Sequence, residues 1–175
     1  NNKLKLNFKI FDNLNYNFFP RPHFKTSKAS ILIGNYEISE IKNLKIYLSL
    51  KNLFSLKNIE LKDIIISDAN FNLKKENYDF FIKILDNNFL ERNLFIKNSN
   101  IFFRSNENEV LFINKILELN YSFDSNEIKN IFYSENEIFN LPYTLEVFHN
   151  KNKKEYFSKF NLSLAKLQIE NVFKY

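Results

Sequence analysis

Residues 117–124, Leu-Glu-Leu-Asn-Tyr-Ser-Phe-Asp, alternate apolar and polar side chains without a break. In an extended chain successive side chains point to opposite faces, so Leu117, Leu119, Tyr121 and Phe123 fall on one face and Glu118, Asn120, Ser122 and Asp124 on the other. This is a strand with one dry and one wet side. The same arithmetic holds for Leu4, Leu6, Phe8 and Ile10 and for Leu44, Ile46, Leu48 and Leu50. It returns at Leu141, Tyr143, Leu145 and Val147, and again at Phe160, Leu162 and Leu164. Between these last two segments, Asn150-Lys151-Asn152-Lys153-Lys154 reads as a hairpin loop, which makes antiparallel neighbours natural.

Helical signal is sparse. Tyr78 to Asp86 sets Phe81, Ile84 and Leu85 on one side behind Asn77, an N-cap residue type, and Lys51 to Ser55 has room for one further turn. Two stretches echo each other, Ile59 to Leu73 and Asn93 to Arg104. Each runs as apolar strand, short Asp/Asn/Ser turn, apolar strand, which suits either a strand pair or a strand with a bend and points to similar units laid side by side. No Gly/Ser/Pro-rich linker divides the chain, so residues 1–175 read as one unit, with 91–175 continuing the strands of 1–90.

Composition narrows the classes of function. The chain is 45% hydrophobic and 17% aromatic, enough to pack a core. It has no Cys, which excludes a disulfide framework, a thiolate metal site and a cysteine nucleophile. Gly34 is the only glycine, so phosphate-cradling Gly-rich loops and nucleophile elbows are absent and turns fall to Asn, Asp and Ser. The absence of Met suggests residues cut from a longer reading frame. Phe occurs 21 times and Trp never, and Arg only at Arg21, Arg92 and Arg104. An A+T-rich genome produces such a bias, and the net charge of +5 then says little about partners. No run of about 18 apolar residues is present, so nothing here spans a bilayer as a helix, and Asn1 to Ile10 is no signal peptide.

Chemistry-bearing residues are scattered. His23 and His149 lack metal-ligand spacing, and Asp63 with Asp68 or Glu135 with Glu137 read as turn or wet-face carboxylates rather than an acid/base pair. The chain is therefore expected to be no enzyme and to need no cofactor or metal. Lys151, Lys153 and Lys154 beside Tyr156, Phe157 and Phe160 have the composition of a single-strand-binding surface. Acids sprinkled among the lysines, and phenylalanines that alternate into the dry face, argue against a nucleic-acid partner. Anionic lipid headgroups suit the same hairpin equally well. Pro20 and Pro22 mark an edge or corner, since proline cannot donate to a sheet ladder.

The dry faces pose a physical question, because contiguous apolar surface beyond a few hundred Å² is unusual on a soluble monomer. A second sheet would cover them, giving a closed β-sandwich that serves as an adhesion or assembly module. Acyl chains lying in an open sheet would cover them equally.

Phe18-Phe19-Pro20-Arg21-Pro22-His23-Phe24 is followed by an extended segment to Gly34, a Leu-rich strand and turn over Leu44 to Leu56, the stretch Asn58 to Leu73, and a short helix. This order resembles the N-terminal region of the AsmA-like family of Gram-negative envelope proteins, over roughly residues 1–90. The segment Leu94 to Arg104 and the strand around Leu117 fit the usual continuation. The chain departs from the family pattern at Asn58, where Gly is common, and at Lys74-Lys75-Glu76-Asn77, where an Asp/Asn-Gly turn is usual. The resemblance implies a mainly β fold with minor α content: an antiparallel, strongly curved sheet forming an open groove, with one or two short helices near its N-terminal end. It implies a fragment at the periplasmic face of the inner membrane, anchored by a membrane helix not contained in this chain. The function implied is shielding of phospholipid acyl chains for lipid transport or outer-membrane assembly. The residues expected to line the groove are Leu44, Ile46 and Leu48, then Leu117, Leu119, Tyr121 and Phe123, then Leu145 and Val147, and finally Phe160, Leu162 and Leu164.

Overall fold

The computed structural model describes residues 7–34, 36–49, 60–77 and 93–174. Thirteen strands follow the alternation: β1 (Asn7–Ile10), β2 (Asn15–Asn17), β3 (His23–Thr26), β4 (Ala29–Ile33), β5 (Tyr36–Glu37), β6 (Ser39–Leu48), β7 (Leu61–Leu73), β8 (Asn93–Arg104), β9 (Val110–Asp124), β10 (Lys129–Ile138), β11 (Leu141–Asn150), β12 (Glu155–Leu162) and β13 (Leu167–Lys174). They form one mixed sheet in the order β1-β4-β6-β7-β8-β9-β10-β11-β12-β13, with β2 and β3 added beside β6 and β5 beside β4. The sheet does not close, since β1 stands at one end and β13 at the other. The second sheet that a sandwich requires is not found among the described residues.

From β8 to β13 each strand pairs antiparallel with the next. The expectation of antiparallel pairing fails at one place: β7 and β8 run parallel, Asp63 beside Asn93 and Phe71 beside Ile101. A parallel pair needs a long crossover, here residues 74–92. The register offset of 30 residues is the internal echo seen in the sequence, and each copy is a strand with a bend rather than a hairpin. Asn100 Nδ2 donates to Asn70 Oδ1 at 3.1 Å across this pair, and Arg104 Nε to Asn72 Oδ1 at 2.7 Å. The expected helix Tyr78–Asp86 and turn Lys51–Ser55 lie outside the described residues, as do Leu4, Leu6 and Leu50. Helical structure among the described residues is limited to 3-10 turns at Lys75–Asn77 and Ser163–Ala165.

Positive φ falls largely on Asn and Asp, as a chain with one glycine requires: Asn108 and Asn140 in turns, beside Gly34, and Asp68 and Asn98 within β7 and β8. Phe139 and Asn140 are both left-handed between β10 and β11, the two-residue hairpin geometry that matches strand twist. Ile128, Lys154 and Lys166 also take positive φ. A β-branched residue there is strained.

Candidate functional site

Four neighbouring strands share one irregularity. Buried side chains on the dry face normally sit two residues apart, but the step is three at Ile41/Leu44, Ile66/Ala69, Ile96/Ser99 and Ile116/Leu119. The residues skipped on the far side, Lys42, Asp68, Asn98 and Leu117, are all exposed and occupy matching places in β6, β7, β8 and β9. Asp68 and Asn98 absorb the extra residue at φ 55 and φ 47, and the β9–β10 register shifts opposite Leu117. A crease of aligned kinks thus runs across β6 to β9 and ends in a one-residue bulge at Leu117 against β10.

On one side of the crease the dry face is built in continuous cross-strand rows. One runs Leu44, Ile66, Ile96, Leu119, Ser134, Leu145, Phe160, Ile169 from β6 to β13. The next runs Phe24, Ile46, Ile64, Leu94, Tyr121, Phe132, Val147 from β3 to β11. Over β6–β9 these rows are buried with Ala29, Ile31 and Ile38 in the core; over β11–β13 they become progressively open. An apolar depression of about 230 Å³ lies between, walled by Phe71, Leu94, Ile96, Ile101, Ile116, Leu119, Tyr121, Phe132, Leu145 and Val147.

The expected lining residues divide accordingly. Leu119, Tyr121, Leu145 and Val147 wall the depression. Leu44 and Leu48 are buried and Ile46 packs against the core. Phe123, Phe160 and Leu162 are half-buried, Phe123 opposite Asn130, Phe160 in a tilted ring contact with Tyr143 and Leu162 opposite Leu167. Two stand elsewhere. Leu117 is 45% exposed because the crease displaces it from the face of Leu119, and Leu164 is 69% exposed because β12 ends before it in a 3-10 turn. The walls at Phe71, Leu94, Ile96, Ile101, Ile116 and Phe132 escaped the sequence reading. For Ile96, Ile101 and Ile116 the three-residue step is the signal that was available.

β10 inverts the usual pattern, turning Asn130, Ser134 and Asn136 to the dry face, where all three are buried. They are satisfied by a hydrogen-bonded chain. Tyr143 Oη donates to Asn114 Oδ1 at 2.8 Å, Asn114 Nδ2 to Asn136 Oδ1 at 3.4 Å and Asn136 Nδ2 to Ser134 Oγ at 2.7 Å. Tyr121 Oη donates to Asn130 Oδ1 at 3.0 Å. Burial pushes the Tyr143 phenol above its ordinary range, with the Asn114 bond pulling the other way.

Among the described residues the wet face carries one buried carboxylate. Asp63, beneath the Pro-Arg-Pro element, accepts from Asn93 Nδ2 at 3.1 Å and meets Arg21 at 3.3 Å, while Arg21 lies over the Tyr47 ring and His23 stacks on that ring at 4.8 Å. His23 Nδ1 is 2.8 Å from the Arg21 carbonyl. The cluster pins the chain between β2 and β3, the corner expected from Pro20 and Pro22. His149 stacks on Tyr156 on the other side of the sheet, far along the strand order. Among the described residues no three His, Cys, Asp or Glu side chains converge as a metal site would, and no helix is long and apolar enough to cross a membrane. In the Lys151–Lys154 hairpin region, Tyr156 and Phe160 share the dry face while Phe157 stacks on Phe148 on the other. The aromatics form no common platform for bases.

Comparison of the chain with protein-family models and with curated proteins finds no match in either.

Proposed function

We propose that this chain is a piece of an AsmA-like envelope protein, working at the periplasmic face of an inner membrane, whose one-sided sheet shelters phospholipid acyl chains during lipid transport or outer-membrane assembly. The observation that carries the reading is the apolar depression: ten walls without a charged side chain, on a single sheet that stays open beyond β10. At about 230 Å³ the depression takes a segment of one acyl chain. Each methylene it shields contributes about 0.8 kcal/mol, set against an association cost of about 4 kcal/mol or more. The hold is weak, as passive sliding requires, and the sheet would act as a conduit and not as a catalyst.

Mass spectrometry of the natively purified chain tests this: co-purifying phospholipid is expected, and its loss from a Val147→Asp variant whose circular dichroism is unchanged. A lipid-free preparation that also fails to take up fluorescent phospholipid refutes the reading. The sandwich alternative needs a second layer, and the nucleic-acid alternative needs its aromatics on one face.

A further inference from the structure

Residues 9–20 are exposed without interruption, yet they include Ile10, Phe11, Leu14, Tyr16, Phe18 and Phe19, the last two 60% and 82% exposed. Leu14, Tyr16 and Phe18 alternate with Asn13, Asn15 and Asn17, so the extended chain gathers them on one side. That side is the dry face, because Tyr16 sits opposite Phe24, and Phe24 opposite Ile46. The second apolar row of the sheet therefore emerges at this edge as bare aromatic surface.

The opposite side of the same edge is cationic. Lys25 and Lys45 lie directly opposite each other on β3 and β6, a like-charge pairing that disfavours the sheet unless an anion relieves it. Neither they nor Lys28 belongs to an ion pair among the described residues. Lys9 and Lys28 bracket the Phe11 ring at 4.7 and 5.7 Å. Of the acids nearby, Asp12 is held by Ser27 Oγ and the Asn13 amide, contacts that keep its carboxyl below the usual range, Glu37 meets Lys9 at 2.6 Å, and Glu40 lines the same cleft as Phe11 and Lys28. Residues 7–34 hold four cations and one acid, a net +3.

We propose that this edge, β2 with its flanking residues 10–19, docks in the headgroup layer of an anionic bilayer, Phe18 and Phe19 entering between lipids while Lys25, Lys28 and Lys45 meet phosphates. Exposed phenyl rings and lysines on one edge match the two media of that layer, apolar below and anionic above. The contact stands apart from the acyl-chain reading of the depression, from which the buried side chains of β6 and β7 separate it.

The chain has no Trp, so a Phe19→Trp variant carries a single reporter. With vesicles of phosphatidylcholine containing roughly one-third phosphatidylglycerol, its emission should shift to the blue and be quenched by brominated acyl chains. Binding should weaken as salt rises from about 0.05 to about 0.5 M. In co-sedimentation, Phe18→Ser with Phe19→Ser should lower vesicle affinity by about tenfold or more, whereas Val147→Asp leaves it unchanged. Unshifted emission overturns the proposal, as does equal binding to pure phosphatidylcholine, or a Ser/Ser variant that binds like the parent. If the substitutions instead abolish self-association in sedimentation velocity, the edge binds a second copy and the proposal is wrong. Loss of co-purified lipid in Val147→Asp with vesicle binding intact separates the two readings.

Discussion

The chain of amides and hydroxyls crossing the dry face makes a quantitative demand. Ser134→Ala removes the acceptor 2.7 Å from Asn136 Nδ2, and both residues are almost wholly buried, so no water replaces it. An unsatisfied buried amide costs about 1–3 kcal/mol. A chain of this size shifts its midpoint about 2–4 °C per kcal/mol, so the variant should melt roughly 2–12 °C lower. Asn136→Ala breaks that bond and the 3.4 Å link to Asn114, and should cost about as much or more. The decisive quantity is the coupling in the double-mutant cycle. The Asn114 link is lost in both corners that carry Asn136→Ala and therefore cancels, leaving the Ser134–Asn136 pair, expected near 1 kcal/mol. Urea unfolding of the four proteins, followed by circular dichroism, measures it. Additivity within about 0.3 kcal/mol would show that the two side chains do not depend on each other, and the account of how polar groups survive on an apolar face would fall with it.

Other outcomes follow from the same geometry. Ile128→Asn should raise the melting midpoint by about 2–4 °C, because about 1 kcal/mol of left-handed strain at φ 51 is relieved; an unchanged midpoint contradicts the strain. Tyr143 has its phenol raised in the folded state, so its share of stability is present below the unfolded value near 10 and is lost as pH climbs through the folded one. Tyr143→Phe should flatten the alkaline limb of the stability profile, and an identical limb in the variant counts against the buried phenol. Val172→Lys on the open edge of β13, where Val172 is more than half exposed, should leave the unfolding free energy within about 0.5 kcal/mol while slowing aggregation; faster aggregation contradicts a free edge.

Much of the fold was legible because a period of two is a local signal. The strands at Leu44–Leu48, Leu117–Phe123, Leu141–Val147 and Phe160–Leu162 stand where the alternation put them. What failed was counting across irregularities. Leu117 continues the series of Leu119 and Tyr121 on paper, but the crease adds a residue and turns it away. Leu164 continues Phe160 and Leu162 in the same way, past the end of β12. The parallel pair β7–β8 left its mark as the 30-residue echo, yet similarity of two segments does not state their relative direction; the crossover does. β10 was the least legible strand, since Asn130, Ser134 and Asn136 point in and Ile131 and Tyr133 out, the reverse of what polarity dictates. The partners Asn114, Tyr121 and Tyr143, contributed by neighbouring strands, offset the cost of that inversion.

The crease also governs how the sheet can change in length. Deleting Asn98 alone would restore plain alternation in β8 and keep Ser99, Ile101 and Phe103 on the dry face, but it would leave β8 one residue short against Asp68 in β7 and Leu117 in β9, so that one flank of the crease slips out of register with both neighbours. A tolerated insertion or deletion near that line must be matched in all four strands at once, as a pleat in cloth is let out across every panel or none.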